Sequence, residues 1–112
     1  MTDTPERIVE ISATVWPEAS AQHQGDEITY SVERWGVIGL PIQDFALILI
    51  ARMEEEITQC PSNHHNGFCC EIEVYAGCRV AWRLDMLGAY FRHESRLEAT
   101  YKAWQAVQEQ TR

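Results

Sequence analysis

The chain has few basic residues, because nine Lys and Arg side chains stand against 17 Asp and Glu, giving a formal net charge of −8. Recognition of a phosphate backbone needs clustered Lys and Arg. The charge therefore predicts that the protein does not bind nucleic acid directly. An acidic balance serves solubility by default, and the sharper interpretation is an acidic surface that docks onto a protein with a basic surface, including one that normally holds nucleic acid.

Long apolar runs are also missing, since the longest one covers only residues 45–51 and is far too short to cross a bilayer. The N-terminus lacks the basic region and apolar run of a secretory signal. We therefore expect a cytoplasmic protein that makes no membrane contact. Thiols stay reduced in that compartment, so the four cysteines are not expected to form disulfides.

No catalytic signature is present. Gly36 and Gly39 alone do not make a phosphate-binding loop, and no other glycine-rich motif occurs. The sequence predicts no enzyme activity, no catalytic residues and no cofactor. It contains no repeat or linker, and 112 residues suffice for one core, so a single domain over residues 1–112 is expected.

All four cysteines fall between positions 60 and 78, together with two of the four histidines. Cys60, His64, His65 and Cys69 are residue types that bind zinc. Their spacing differs from the usual Cys-x-x-Cys knuckle, and adjacent histidines point apart in an extended loop. We therefore predict no metal. A zinc-stabilised binding module built on this loop is the alternative function.

A thiol enzyme is the third hypothesis for the same loop. A nucleophilic cysteine needs a histidine within hydrogen-bond reach and a group that orients it. Cys69 with His64 or His65 has the right residue types, and Asn63 or Asn66 is the candidate orienting group. No known signature surrounds them.

Residues 5–16 fit both a helix and a strand. Thr4, Pro5 and Glu6 form a helix start, with a capping hydroxyl, a proline in the first turn and an early acid. The same segment alternates polar and apolar residues, as a strand does. The start signal favours a helix that ends before Pro17, and residues 17–26 are predicted to form a loop.

A strand and a second helix follow. Residues 28–32 alternate as a half-buried strand does, and Gly36 and Gly39 are expected to break it. Pro41 should open a helix. Its predicted buried stripe consists of Ile42, Phe45, Leu49, Met53 and Ile57. The middle of this helix is apolar almost all round, which suits either a central helix or a homodimer contact.

Residues 68–85 predict a β-hairpin whose register can be argued. A three-residue loop at 75–77 places Val74 opposite Cys78 and Cys70 opposite Trp82, so that one face is apolar. The other face then carries Glu73 opposite Arg79. In this register Cys70 and Cys78 pack beside Trp82 as small hydrophobic residues.

The last helix is predicted to start at Ser95, because Glu98 lies three residues on and completes a capping box. Its core-facing residues are Leu97, Tyr101, Trp104 and Val107. The elements together predict an α+β fold, with a small, mainly antiparallel sheet of about three to four strands packed against about three helices.

Two groups of residues are candidates for binding a protein partner. Trp35 follows Arg34 at the end of an alternating strand, and exposed Trp and Arg are favoured at interfaces. The acidic run Glu54, Glu55 and Glu56 is the second candidate, because it suits a basic partner.

Several short motifs resemble small phage-encoded proteins with an alpha-beta-alpha sandwich domain. The matching segments are Leu40-Pro41 before a helix, Val80-Ala81-Trp82 in a strand, and Glu98-Ala99 through Ala103 to Ala106 at the end. The chain departs from that pattern at Ile42-Gln43, where Tyr-Ser is expected. The resemblance implies a fold and a phage or mobile-element origin, and carries over no catalytic residues.

The sequence thus predicts a small acidic, non-enzymatic protein of phage or mobile-element origin. It is expected to act in the host cytosol by binding a host protein that has a basic surface. An inhibitor of a host defence complex or of another nucleic-acid-binding complex fits the charge and size.

Overall fold

The computed structural model describes the backbone of residues 3–59, 68–75, 77–84, 89–93 and 95–110, and the side chains of residues 3–57 and 95–109. This part of the chain contains three α-helices and two three-stranded antiparallel sheets. It forms two compact units, Thr2–Leu49 (the N-terminal unit) and Ile50–Arg112 (the C-terminal unit). The α+β class is confirmed, whereas the single domain stays a prediction.

The N-terminal unit begins with α1, which covers Pro5–Val15. The hydroxyl of Thr4 accepts a hydrogen bond from the backbone N–H of Arg7, at 3.2 Å, so the predicted cap is present. Ile8, Ile11 and Val15 are buried on one face. The prediction of a helix rather than a strand is confirmed, and the helix ends at Val15, with Trp16 as its C-cap residue before Pro17.

The predicted loop at 17–26 is more ordered than expected. A 3-10 turn forms at Pro17–Ala19, and β1 covers Gln22–Gln24. The three residues of β1 are polar and exposed. They carry no hydrophobic alternation from which a strand could be predicted. The strand forms because β2, Glu27–Val32, offers its edge as an antiparallel partner.

The third strand corrects another expectation. Gly36 and Gly39 do not break the chain but belong to β3, Gly36–Pro41, which pairs antiparallel with all of β2. Glycine weakens a strand but is tolerated where backbone or side chains approach closely. A Cβ atom on Gly39 would lie 2.8 Å from Oε2 of Glu27, so the carboxylate of Glu27 occupies that space.

Helix α2 covers Ile42–Gln59, and thus starts one residue after the predicted Pro41. Four members of the predicted stripe, Phe45, Leu49, Met53 and Ile57, are fully buried, whereas Ile42 is half-buried. In the N-terminal unit, Phe45 closes an aromatic cluster with Trp16 and Tyr30, at ring-centroid distances of 6.4 and 5.0 Å. This cluster and the buried face of α1 form the core of that unit.

One buried polar group in α1 has no hydrogen-bond partner among the described residues. The hydroxyl of Ser12 is fully buried and makes no hydrogen bond in the described structure. We expect Ser12→Ala to raise the free energy of unfolding by about 1–2 kcal/mol, because it removes a desolvated hydroxyl and favours the helix. Chemical unfolding followed by circular dichroism measures this change.

The control for that substitution is Thr14→Ala, at an exposed position of the same helix. It changes helix propensity without removing a buried hydroxyl, so we expect a gain of only about 0.5 kcal/mol. An equal gain from both substitutions would show that burial of the Ser12 hydroxyl carries no cost.

The C-terminal unit contains β4, Phe68–Tyr75, β5, Gly77–Leu84, and β6, Ala89–His93, in the order β4-β5-β6. The predicted hairpin register is confirmed, because Val74 lies opposite Cys78 and Cys70 lies opposite Trp82. Strand β6 was not predicted. Its sequence, Ala-Tyr-Phe-Arg-His, does not alternate polar and apolar residues, so it carries no periodicity from which a strand could be predicted.

Helix α3, Arg96–Gln110, packs against β5 and β6. The backbone N–H of Glu98 donates to the Ser95 hydroxyl at 3.2 Å, as the capping box predicts. The predicted core residues Leu97, Tyr101, Trp104 and Val107 are all buried. The side chains of Tyr101 and Trp104 stack, with ring centroids 6.1 Å apart.

Candidate protein-binding site

The turn between β2 and β3 exposes a tryptophan. The backbone N–H of Trp35 donates to the carbonyl of Val32 at 3.0 Å and closes the turn, and Gly36 follows with a φ of 79°. Glycine takes that left-handed conformation without the steric cost other residues pay in it. The Trp35 side chain is left 79% exposed. We call residues 33–37 the hairpin tip.

Val37 adds a second apolar group to the hairpin tip. It lies opposite Ser31 in the register, one position before the pair of Ile38 with the buried Tyr30. Alternation therefore places Val37 on the outer face of the sheet, where it is 71% exposed. Scattered surface leucines are normal, but an exposed tryptophan beside an exposed valine is a typical interface feature.

The charge of the chain is concentrated in the N-terminal unit. Residues 2–49 hold eight acidic and two basic side chains, a net charge of −6, whereas residues 50–112 hold nine acidic and seven basic ones, a net charge of −2. Arg7 is one of the two basic residues and pairs with Glu10 at 2.8 Å. Arg34, the other, is exposed at the hairpin tip. The tip is therefore carried by a strongly acidic unit.

The acidic run in α2 lies in the C-terminal unit and contacts α3. An oxygen of Glu54 accepts a hydrogen bond from Arg96 at 2.6 Å. A carboxylate oxygen of Glu56 accepts from the indole N–H of Trp104, and Glu55 is exposed. The Glu54 and Glu56 carboxylates thus help to hold α2 and α3 together. That they also bind a partner stays a prediction.

The contact of Glu56 with Trp104 makes a specific prediction about stability. We expect Glu56→Ala to lower the free energy of unfolding by about 1–2 kcal/mol, because a largely buried indole N–H loses a charged acceptor. Glu56→Gln keeps an acceptor oxygen and should lose about half as much. Urea unfolding measures both. Glu109→Ala, an exposed acid of α3, serves as the control, and an equal loss there would contradict this role for Glu56.

The cysteine-histidine candidates fall largely outside the described residues. Cys60, His64 and His65 are not described, and Cys69 is placed only by its backbone, on β4 opposite Arg83. Among the residues whose placement is described, no three His, Cys, Asp or Glu side chains come together as a metal site. The predictions on zinc and on thiol chemistry stay predictions.

The sequence selects Trp35 and Arg34 as candidates, and the structure adds Val37 as an exposed apolar side chain of the hairpin tip. The strand that carries Val37 could have been recognised from the segment Gly36–Pro41, which has no charged residue and contains three aliphatic ones. The two glycines in this segment predict a chain break instead of a strand when they are considered alone. Within the described residues, no helix has the length and apolar character that crossing a membrane requires.

The comparisons with known proteins leave the chain without an identified relative. No protein-family model matches it, and no match was found among curated proteins or among solved structures.

Proposed function

We propose that this protein is a non-enzymatic binding protein that docks the hairpin tip onto a partner protein with a basic surface. The observation that carries the proposal is the exposure of Trp35, at 79%, on a unit with a net charge of −6. Tryptophan is strongly favoured among the few residues that dominate interface energies. Long-range attraction between the acidic unit and a basic partner would speed their encounter.

The tip is well suited to act as an anchor. Trp35 is held in a closed turn between two paired strands, so little backbone freedom would be lost on binding. A tryptophan side chain has two rotatable bonds and buries a large area, which limits the entropy cost further. Arg34 beside it can donate hydrogen bonds at the rim of the interface.

The partner we propose is a host protein whose basic surface normally holds nucleic acid. The chain would act in the host cytosol as a phage or mobile-element inhibitor, by covering that surface with its own acidic one. Its charge supports such a role, because an acidic protein can compete with a phosphate backbone for the same Lys and Arg side chains. No direct contact with nucleic acid or membrane is proposed.

Affinity capture in a salt series tests this function. The whole chain is immobilised and exposed to lysate of the cell in which it is made, at low and at moderate salt. We expect a basic protein in stoichiometric amount, with recovery that falls as salt rises. In a separate competition experiment, the purified partner is loaded with nucleic acid, and adding the chain should release that nucleic acid. Failure to recover any stoichiometric partner at either salt would overturn the proposal.

A further inference from the structure

The edge of β3 that faces away from β2 is an uncharged strand edge that begins at the hairpin tip. One edge of β3 pairs with β2, and no strand in the described part of the chain pairs with its other edge. Gly36, Val37, Gly39 and Pro41 are exposed, and none of the six residues is charged. Proteins usually protect such an edge with charges, bulges or very short strands.

A carboxylate lies over this strand. Glu27 of β2 and Gly39 of β3 are diagonal neighbours on the outer face of the sheet. A Cβ atom on Gly39 would lie 2.8 Å from Oε2 of Glu27, so the glycine gives that carboxylate room above β3. An added strand beside β3 would bring its own side chains near Glu27 on this face.

We propose that an extended, basic segment of the partner pairs with the edge of β3 that faces away from β2, and places a Lys or Arg side chain against Glu27. This inference rests on the proposed function and adds the mode of binding. Main-chain hydrogen bonds would supply affinity, and alternate side chains would supply selectivity, as in other cases of strand addition. Trp35, which immediately precedes β3, would cover one end of the added segment.

The two faces of the sheet define the chemistry of that segment. On the outer face it meets Glu27, which calls for a basic residue. On the opposite face β3 presents Ile38 and Leu40, which are only half-buried and call for apolar residues. A segment of alternating Lys and Val satisfies both faces, because successive side chains of a strand point to opposite sides.

A second copy of the chain is a poorer occupant for the same edge. Pairing β3 with β3 of another molecule would bring together two units that each carry a net charge of −6. It would also add a second Glu27 carboxylate to the joined sheet, where a basic partner segment would supply a positive charge. Like charges near each other in a sheet are destabilising, so charge complementarity favours a basic partner segment.

The test uses a peptide of about eight alternating Lys and Val residues, long enough to pair with β3 at about 3.4 Å per residue. Binding to the whole chain is followed by NMR at low salt, together with hydrogen exchange of the β3 amides. We expect the β3 amides that point away from β2 to exchange at least about tenfold more slowly when the peptide is bound. Absence of binding would overturn the inference.

Two N-methylated peptides separate strand pairing from simple charge attraction. One carries methyl groups on the amides of one edge of the extended peptide, and the other on the amides of the opposite edge. Strand addition uses one edge only, so we expect one isomer to bind like the parent and the other at least about tenfold more weakly. Equal binding of both isomers would overturn strand addition and leave the proposed docking function standing.

Two charge variants of the protein complete the design. Glu27→Gln and Asp26→Asn remove the same charge from neighbouring exposed positions, but only Glu27 lies over β3. We expect Glu27→Gln to weaken binding of the unmethylated peptide by about fivefold. Asp26→Asn should weaken that binding by less than twofold. Equal losses would reject the specific role of Glu27. Peptide-free dimerisation in sedimentation, abolished by Val37→Lys, would instead identify a second copy as the occupant.

Discussion

Replacing Phe45 by alanine is expected to lower the free energy of unfolding by about 3–5 kcal/mol, the largest effect of any single substitution considered for this chain. Phe45 is fully buried, and its ring lies 6.4 Å from that of Trp16 and 5.0 Å from that of Tyr30. The substitution removes a large apolar group and the ring contacts that it makes. Urea unfolding monitored by circular dichroism measures the change.

The matched control is Leu47→Ala, two positions along the same helix at a side chain that is 56% exposed. Most exposed substitutions change stability by less than about 0.5 kcal/mol. We expect Leu47→Ala to lie near that limit. If Phe45→Ala cost no more than Leu47→Ala, the aromatic cluster would not be the core of the N-terminal unit.

Replacing Trp35 by alanine is expected to weaken binding to the captured partner by at least about 30-fold, which corresponds to about 2 kcal/mol. The reason is the loss of an anchor that is almost fully exposed in the free protein and would be buried in the complex. Calorimetric titration of the purified partner with each variant measures the change in Kd.

The same substitution should leave the fold intact. Because Trp35 is 79% exposed, its removal should alter the free energy of unfolding by less than about 0.5 kcal/mol. Trp35→Ala should therefore change binding without changing stability. Phe45→Ala lowers stability, so its effect on binding could not be measured separately. Leu47→Ala is again the control, and binding by Trp35→Ala within about threefold of the unmodified protein would reject Trp35 as the anchor.

The elements that could be predicted from the sequence are those whose ends are marked by capping residues or whose strand register is determined by an apolar face. The Thr4 cap and the Ser95 capping box mark the starts of two helices, and both hydrogen bonds are present. The hairpin of β4 and β5 follows from the requirement that one face be apolar. In each case a local rule and the tertiary structure agree.

The strands that escaped prediction are stabilised by partners that are not visible locally. β1 has three exposed polar residues and forms because β2 is beside it. β3 contains two glycines, which indicate a break in isolation, yet it pairs with β2 over six residues. Pairing between strands is a tertiary interaction, and it overrides weak local preference.

The candidate site shows the same division. Trp35 could be selected from its neighbours Arg34 and Gly36, because a tryptophan at the end of a strand next to a turn is well placed for exposure. The position of Glu27 over Gly39 could not be derived, since it depends on the register of β2 with β3. The sequence favours Glu54 and Glu56 through their charge alone, whereas their contacts with α3 depend on the packing of two helices.

The most direct test of the central claim is whether Trp35 becomes buried when the partner binds. The protein is labelled with fluorotryptophan, and the resonance that disappears in Trp35→Ala is assigned to Trp35, one of four tryptophans. Fluorine NMR in H2O and in D2O then reports solvent contact of that side chain, free and in complex. We predict a large solvent shift in the free protein that is lost in the complex. A solvent shift that persists at full saturation with partner would contradict the account.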